Sequence, residues 1–253
     1  MIENSTARRK HDRLRAFMQA FPLRAEPGGP VAEAHLFIMA GSEGDAPERL
    51  IYRPRAGGTA PAGRVLEHVR LDFGGSLNPL VGALPAEIAF ELAEEPDLRA
   101  LAGLALGEET LSRCGSGFAG ERLCEVIVVH AVRRAIARGT ATAGLLAGLA
   151  HPELHPCLVA MHDDPARDWR VGDLAALAGM SRSRFLRAFA ATVGQSPIAY
   201  LAGWRLTLAR ALLADGGRIK PVAAQVGFGS AAAFSRAFSR QFGIAPSQVA
   251  PPP

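Results

Sequence analysis

The C-terminal third of the chain contains one pattern twice, and this repeat limits the folds available to the chain. Each copy has an apolar segment, a glycine, two phenylalanines four residues apart, and then a Gly and a Pro, over residues 174–197 and 222–246. Gly179 and Gly227 are 48 positions apart and the phenylalanine pairs are 49 apart, so the second copy has one extra residue after its turn. A short helix, a glycine turn and a second helix form a helix-turn-helix unit, and a repeat at fixed spacing predicts two of them.

The charges are unevenly distributed along the chain. The whole chain has 28 Lys and Arg and 24 Asp and Glu, a net charge of +4. From Trp169 to the end there are ten basic and two acidic residues, a net of +8, which leaves 18 basic and 22 acidic residues, a net of −4, in residues 1–168. A basic region on a doubled helix-turn-helix predicts a domain that binds nucleic acid.

The second helix of each unit is predicted to have an apolar and a polar face. Ser181 can accept a hydrogen bond from a free backbone N–H, and we predict that it caps the first of these helices. At about 100° per residue, Phe185 points to one side and Arg187 lies nearly opposite. The second copy repeats this arrangement with Phe234 inside and Arg236 outside. We expect the arginines to face DNA, where a guanidinium can donate two bonds to guanine or bind phosphate.

A long apolar segment joins the two units. Apolar residues recur at intervals of three and four over residues 197–214, Pro197 suits a first helical turn, and residues 215–217 (Asp-Gly-Gly) end the pattern. We predict one continuous helix of about 17 residues, roughly 26 Å long. A connector of that length can place the two units in successive major grooves on one face of DNA, which are about 34 Å apart.

Together these residues resemble the DNA-binding domain of AraC/XylS transcriptional regulators. The resemblance extends over about residues 156–248 and implies a sequence-specific regulator whose partner is double-stranded promoter DNA. It rests on the following residues: Leu174, Ala175, Gly179, Met180, Ser181, Arg182, Ser183, Phe185, Arg187, Phe189, Tyr200, Leu201, Trp204, Arg205, Val222, Ala223, Val226, Gly227, Phe228, Ala233, Phe234, Ser235, Arg236, Ala237, Phe238, Gly243 and Pro246.

The resemblance also implies which residues read DNA, because the second helix of each unit enters the major groove in that family. By position it implicates Arg182, Ser183, Leu186 and Arg187 in the first unit and Ala232, Ala233 and Arg236 in the second. Neighbouring residues complete the predicted DNA-binding set: Arg184, Ser230, Ser235 and Arg240. The second helix begins with alanines and has few hydrogen-bonding groups, so we expect it to bind mostly phosphate and the first helix to provide sequence choice.

The N-terminal half predicts strands followed by helices. Residues 35–40, 49–55 and 64–73 have the composition of strands and are separated by Gly and Pro clusters, whereas the pattern becomes helical from Pro85 onward. Fewer than about 75 residues precede the helical part, which is short for a full β-barrel. We therefore expect a reduced barrel.

This half resembles the cupin-type sensor half of some AraC-family regulators. The matching residues are Asn78, Pro79, Leu80, Leu84, Pro85, Arg122, Leu123, Glu125, His151, Pro152, Ala160, Met161 and His162. The expected fold class is α+β: a small cupin-like β-barrel with helices in residues 1–150 and an all-α DNA-binding domain in residues 151–253. We place its helix-turn-helix units at about 169–194 and 218–243, joined by the long helix.

The segment 121–138 is predicted to be an apolar helix with its acids early and its arginines late, as the helix dipole prefers. The resemblance implies that a helix of this kind forms a dimer surface. We expect Leu123, Ile127, His130 and Arg134 to form that surface in a homodimer.

No cofactor or metal is expected. The histidine and glutamate cluster that holds metal in cupin enzymes has no counterpart, and Cys114, Cys124 and Cys157 lack C-x-x-C spacing, which indicates reduced thiols. No segment approaches the roughly 18 apolar residues needed to cross a bilayer. We expect a cytoplasmic protein without membrane contact, with RNA polymerase as a further partner, and the residues leave open whether a small-molecule effector binds.

Two alternatives remain from the sequence. The chain is expected to be a regulator and not an enzyme, but it can also be interpreted as a cupin-type small-molecule-binding protein or enzyme with the C-terminal half as an adaptor. The N-terminal segment has basic residues at positions 8–10 and then Leu14, Phe17, Met18 and Phe21 at helical spacing. This pattern fits a DNA-binding arm, a membrane-surface helix or, as we favour, a helix packed on its own domain.

Overall fold

A computed structural model of the protein describes residues 12–41, 44–111, 113–139 and 143–249. Contacts divide the chain into two compact units. Among the described residues, the sheet unit consists of residues 22–41, 44–76, 81–111 and 113–139, and the helical unit consists of residues 12–21, 77–80 and 143–249. The predicted α+β class is confirmed, because one unit contains a β-sheet and the other is helical.

Five strands form one antiparallel sheet in the order β1-β4-β2-β3-β5. They are β1 (Arg24–Pro27), β2 (Leu36–Ala40), β3 (Pro47–Tyr52), β4 (Val65–Asp72) and β5 (Ile88–Glu91). The three predicted strands are confirmed as β2, β3 and β4, with ends that differ from the predicted ones by at most three residues. Strand β5 lies after Pro85, where we predicted helix, and that prediction is wrong for its four residues because so short a strand hardly displays a two-residue period.

The middle strand, β2, is buried on both of its faces. Leu36, Phe37, Ile38 and Met39 are at most 3% exposed, and Phe37 and Met39 pack with Ile51 of β3. A strand covered on both sides needs apolar residues at successive positions, which explains why this segment has an unbroken apolar run. The core of the sheet unit lies around this strand.

Among the described residues, one α-helix precedes β1, one lies between β4 and β5, and the others follow β5. In chain order they are α1 (Arg15–Ala20), α2 (Pro79–Ala83), α3 (Pro96–Leu111), α4 (Ser116–Ala137), α5 (Leu145–Ala150), α6 (His155–Asp163), α7 (Val171–Leu177), α8 (Arg182–Val193), α9 (Pro197–Ala214), α10 (Ile219–Gln225) and α11 (Ala231–Phe242).

Helix α4 confirms the helix predicted at residues 121–138 and begins five residues earlier than predicted. It packs against α3 and β1. Its buried residues recur at intervals of three and four, the spacing of one helix face: Cys124, Ile127, Val128, Ala131, Val132, Ala135 and Ile136.

The predicted connector is confirmed as the single helix α9, which has 18 residues. Ser196 caps it by accepting a hydrogen bond from the backbone N–H of Ala199, and Pro197 occupies the first turn, where its missing N–H costs nothing. Helices α7 and α8 precede the connector and helices α10 and α11 follow it. Each pair forms a helix-turn-helix.

The N-terminal helix α1 packs on the helical unit. The ring of Phe17 is fully buried, with its centroid 4.9 Å from that of His162 in α6 and 5.0 Å from that of Trp204 in α9. Our expectation of a packed helix is met, but its location on an N-terminal domain is wrong, because the apolar side chains of α1 pack with aromatic residues far along the chain. The basic residues Arg8, Arg9 and Lys10 lie outside the described residues.

Candidate nucleic-acid interface

The first helix-turn-helix has the local geometry that its sequence predicts. Gly179 adopts a left-handed φ of +63° at the turn, a conformation that favours glycine. Ser181 then caps α8 by accepting a hydrogen bond from the backbone N–H of Arg184 at 3.4 Å. This turn and cap fix where α8 begins and which residues form its first turn.

Helix α8 divides its residues between the core and the surface. Phe185 and Phe189 are fully buried, with ring centroids 5.6 Å apart. The predicted DNA-binding residues of this helix are all exposed: Arg182, Ser183, Arg184, Leu186 and Arg187. The structure therefore places all five on the solvent-facing side of α8, which is the predicted DNA-binding ridge.

One of these arginines has an intramolecular partner. Nη2 of Arg184 lies 3.2 and 3.3 Å from the two carboxylate oxygens of Glu153, in the turn before α6. The side chains are 59% and 41% exposed. An exposed pair of this kind contributes little to stability, about 0–1 kcal/mol, but it places a negative charge beside the predicted DNA-binding ridge.

The second helix-turn-helix repeats the plan of the first. Gly227 has a left-handed φ of +83° at the turn, and Ser230 caps α11 by accepting a hydrogen bond from the backbone N–H of Ala233 at 3.2 Å. Phe234 and Phe238 are fully buried, with ring centroids 5.5 Å apart. The inward role predicted for these two phenylalanines is confirmed.

The outer face of α11 is less polar than that of α8. Of the predicted residues, Ser230, Ala232, Arg236 and Arg240 are exposed, whereas Ala233 and Ser235 are half-buried. The face therefore presents two guanidinium groups beyond an alanine-rich first turn. Phosphate binding by this helix stays a prediction.

An aromatic cluster fixes the start of the connector to the rest of the helical unit. Nε2 of His162 lies 2.6 Å from the hydroxyl of Tyr200, and both side chains are buried. Burial lowers the pKa of His162 to about 3 and raises the pKa of Tyr200, so both groups are neutral at pH 7. The Tyr200 ring also packs 5.9 Å from that of Phe189 in α8, which connects the connector to the first predicted reading helix.

Two further exposed arginines occupy equivalent positions in the two helix-turn-helix units and were missed in the sequence. Arg170 and Arg218 are the residues immediately before α7 and α10, and both are exposed. They are 48 positions apart (218 − 170), the same offset as the turn glycines (227 − 179). Extending the alignment of the two copies four residues upstream of Leu174 and Val222 would have identified this equivalent pair.

One of the four residues predicted for a dimer surface lies in the core of the sheet unit. Ile127 is fully buried, whereas Leu123 and His130 are half-buried. The side chain of Arg134 is 44% exposed, and its Nε lies 2.8 Å from the carboxylate of Glu95, a buried residue beside α3. Ile127 is therefore not available to a partner, while the other three residues keep part of their surface.

Other apolar side chains of the same two helices are exposed. Leu104 and Leu111 of α3 are 59% and 55% exposed, and Phe118 and Val126 of α4 are 70% and 42% exposed. The guanidinium of Arg122 lies 5.4 Å from the centroid of the Phe118 ring. Their exposure depends on how α3 and α4 pack together, which the sequence does not indicate.

In the part of the chain that the structure describes, no helix is long and apolar enough to cross a membrane. No group of three or more His, Cys, Asp or Glu side chains among these residues is arranged to hold a metal ion.

Two family models match successive parts of the chain. A cupin model matches residues 21–137, and a helix-turn-helix domain model matches residues 174–250. A protein of Streptomyces lividans described as an AraC-like transcription regulator is 41% identical over 145 residues, which are 56% of this chain and 48% of that protein. The HTH-type transcriptional regulator AlkR of Acinetobacter baylyi is 35% identical over 187 residues, 72% of this chain and 60% of the relative.

This chain spans about half the length of the curated relatives it matches. Among solved structures, a transcriptional regulator from Chromobacterium violaceum with an AraC-type DNA-binding domain is 28% identical, with a TM-score of 0.37, over 39% of this chain and 88% of that one. The sequence relatives and the two domain matches agree with the residues described above. The chain is an AraC-type protein in which a cupin domain precedes a helix-turn-helix domain.

Proposed function

We propose that this protein is a sequence-specific DNA-binding transcriptional regulator that reads promoter DNA with two major-groove helices per chain. The observation that carries this proposal is the pair of equivalent helices α8 and α11, each of which buries phenylalanines and exposes arginines. A ridge of exposed arginine and serine side chains on a rigid helix provides donors for guanine and for phosphate.

The two helices have different roles in this proposal. The exposed face of α8 combines Arg182, Ser183 and Arg187, which can hydrogen-bond to base edges. The exposed face of α11 offers Arg236 and Arg240 after an alanine-rich turn, so it mainly binds phosphate and adds affinity that depends little on sequence. Specificity then comes mostly from α8.

The alternative of a cupin-type enzyme is less well supported. The names of the relatives are those of transcription regulators, and the basic, repeated helical unit has no role in an enzyme that uses it only as an adaptor. Metal analysis of the purified protein discriminates between the two, because a stoichiometric metal would favour the enzyme.

Selection of bound duplexes from a random DNA pool tests the regulator directly. We expect enrichment of one motif with two half-sites about one helical turn, 10–10.5 base pairs, apart. The same selection with the double variant Arg182→Ala/Arg187→Ala is the comparison. We expect its enriched sequences to lack any preference in the half-site read by α8. A wild-type selection without any enriched sequence would contradict the proposal.

We infer that two copies of the chain pair through the exposed apolar side chains of α3 and α4. Four of the eight exposed large apolar side chains among the described residues lie on these two helices: Leu104, Leu111, Phe118 and Val126. Apolar patches on a surface mark interaction sites, and a homodimer with two-fold symmetry uses the same patch on both copies.

Sedimentation velocity of the purified protein tests this pairing. We expect a dimer for the wild type and a monomer for Phe118→Asp, because a charge at the most exposed of these apolar side chains opposes its burial. Leu177→Asp introduces the same charge at an exposed leucine of α7 and should leave the dimer intact. A monomeric wild type, or a dimer unaffected by Phe118→Asp, would disprove the inference.

A regulator of this type acts on the chromosome and on the enzyme that transcribes it. RNA polymerase is therefore the second partner that we propose, and the cytoplasm of a bacterial cell is the proposed location. Transcription in vitro from a template that carries the selected motif, with and without the protein, measures whether RNA polymerase responds.

A further inference from the structure

The connector is hydrogen-bonded to the loop of residues 164–169, which leads into the first helix-turn-helix. Arg205, in the middle of α9, donates from Nε to the carbonyl of Pro165 at 2.6 Å and from Nη2 to the carbonyl of Arg167 at 2.9 Å. Its side chain is partly buried, and this burial lowers the pKa of Arg205, although an arginine remains charged in proteins. The connector is thus fastened to residues 165–167.

The turn of the second helix-turn-helix rests on the same loop. A Cβ placed on Gly227 would lie 2.8 Å from the Cα and 2.9 Å from the carbonyl oxygen of Ala166, and 3.1 Å from Nη2 of Arg205. The equivalent turn glycine of the first unit, Gly179, has nothing within 4 Å of such a Cβ. The two glycines therefore share a left-handed backbone, but only Gly227 approaches another part of the protein closely.

The loop itself is held in place by its own contacts. The indole N–H of Trp169 donates to the carbonyl of Asp164 at 2.8 Å, and the guanidinium of Arg167 lies 4.0 Å from the centroid of the Trp169 ring. Because these contacts stiffen the loop, it can hold the connector α9 and the turn of the second helix-turn-helix in a fixed relative position. The second unit also packs on α9 itself, through an apolar cluster that includes Leu213 and Val222, so the contact with residues 165–167 adds a tie between this unit and the loop that precedes the first.

We propose that Arg205 and Gly227 are positioning residues that fix the distance and angle between the two reading helices, by fastening the turn of the second unit to residues 165–167. The spacing of half-sites that the protein accepts is then a property of this contact, in addition to the length of α9. The inference rests on the proposed function, since spacing has meaning only for a protein that binds two half-sites. Binding two half-sites from one rigid unit makes the second contact intramolecular, and its benefit disappears when the geometry is wrong.

Two variants weaken the contact in different ways. Arg205→Lys keeps the positive charge but removes the planar pair of donors that reaches two carbonyls. Gly227→Ala introduces a methyl group against Ala166, and Gly179→Ala is its matched control because it adds the same left-handed strain without the contact. All variants are made in the full chain, and circular dichroism verifies their helix content.

The experiment measures affinity for three kinds of duplex derived from the selected motif. These are the motif itself, motifs with one base pair inserted or deleted between the half-sites, and a duplex that keeps only the half-site read by α8. For the wild type we expect a preference for the natural spacing of about tenfold or more. Arg205→Lys and Gly227→Ala should reduce that preference several-fold while their affinity for the single half-site stays within about twofold of wild type, and Gly179→Ala should keep the wild-type preference.

The possible outcomes separate this inference from the proposed function. If the wild type selects no motif, the result contradicts the proposed function itself. A wild type that selects a motif, together with an Arg205→Lys protein of normal helix content and unchanged spacing preference, overturns the positioning role and leaves the regulator intact. If Gly227→Ala does not fold, the arginine variant alone decides the matter.

Discussion

Glu153 holds Arg184 by its guanidinium, with both carboxylate oxygens within 3.3 Å of the same nitrogen. The pair joins the turn before α6 to the first turn of α8, the helix that we propose reads bases. An arginine near a helix N-terminus is unfavourably placed relative to the helix dipole, and the carboxylate offsets part of that cost. When DNA approaches, the same carboxylate competes with phosphate for the guanidinium and repels the phosphate.

The first prediction concerns this carboxylate. Glu153→Gln should bind DNA several-fold more tightly at low salt, because the repulsion is removed and Arg184 becomes free to bind phosphate. The slope of log affinity against log salt concentration should become steeper by about 0.9 for this one new contact. Titrations at several salt concentrations measure both quantities. Glu94→Gln, which removes an exposed charge of the sheet unit, is the matched control, and an equal gain in the two variants would argue against a local effect.

A second prediction separates base contacts from phosphate contacts. Arg187→Ala should reduce the preference for the selected motif over random DNA by about tenfold or more, as expected for loss of a two-donor contact to a base. Arg218→Ala should weaken binding to both DNAs alike and flatten the salt slope by about 0.9. Competition binding against random duplex measures the ratio. Equal effects of the two substitutions on that ratio would refute the assignment.

A third prediction follows from the buried histidine. The pKa of His162 falls from 6.5 to about 3 on folding because burial disfavours its charged form. Below pH 6.5 the unfolded chain binds a proton that the folded chain does not, so stability decreases as the pH falls from 6.5 toward 3, by up to about 1.4 kcal/mol per pH unit.

The corresponding test compares unfolding by urea at pH 7, 6 and 5 for wild type and for His162→Gln, which keeps a partner for the Tyr200 hydroxyl. We expect the wild type to lose more stability than the variant over this range, although the variant is the less stable protein at pH 7. Parallel losses in the two proteins would mean that other groups account for the acid sensitivity.

A fourth prediction concerns the N-terminal helix. Phe17→Ala should destabilise the helical unit by about 3–5 kcal/mol, the usual cost of emptying a fully buried phenylalanine site. The only two tryptophans of the chain, Trp169 and Trp204, lie in that unit, so intrinsic fluorescence during urea unfolding reports on it specifically. Gln19→Ala changes an exposed residue of the same helix and should leave the midpoint nearly unchanged. A midpoint insensitive to Phe17→Ala would show that α1 contributes nothing to this unit.

The predictions that succeeded from sequence concern local features. The turn glycines, the serine cap at Ser181 and the separation of Phe185 from Arg187 all follow from backbone geometry over a few neighbouring residues. The long connector followed in the same way from one apolar period, a proline at its start and glycines at its end. Short strands such as β5 escaped the prediction because four residues hardly define a period.

Long-range packing decided what could not be predicted. Ile127 looked like a surface residue of α4, but α3 and β1 pack over that helix, and Phe118 and Val126 remain exposed in its place. Glu153 and Arg184 are 31 residues apart, so no local pattern links them.

The amino-acid sequence by itself determined that this protein has two helix-turn-helix units with a basic outer face, because helix period, caps and turns depend on residues close together in the chain. Only the tertiary structure decided that the two turn glycines are not equivalent. Both adopt a left-handed backbone, yet Gly227 alone lies against Ala166 and Arg205. The physical reason is that a close contact between distant segments depends on how the intervening helices pack, and that information is spread over the whole core.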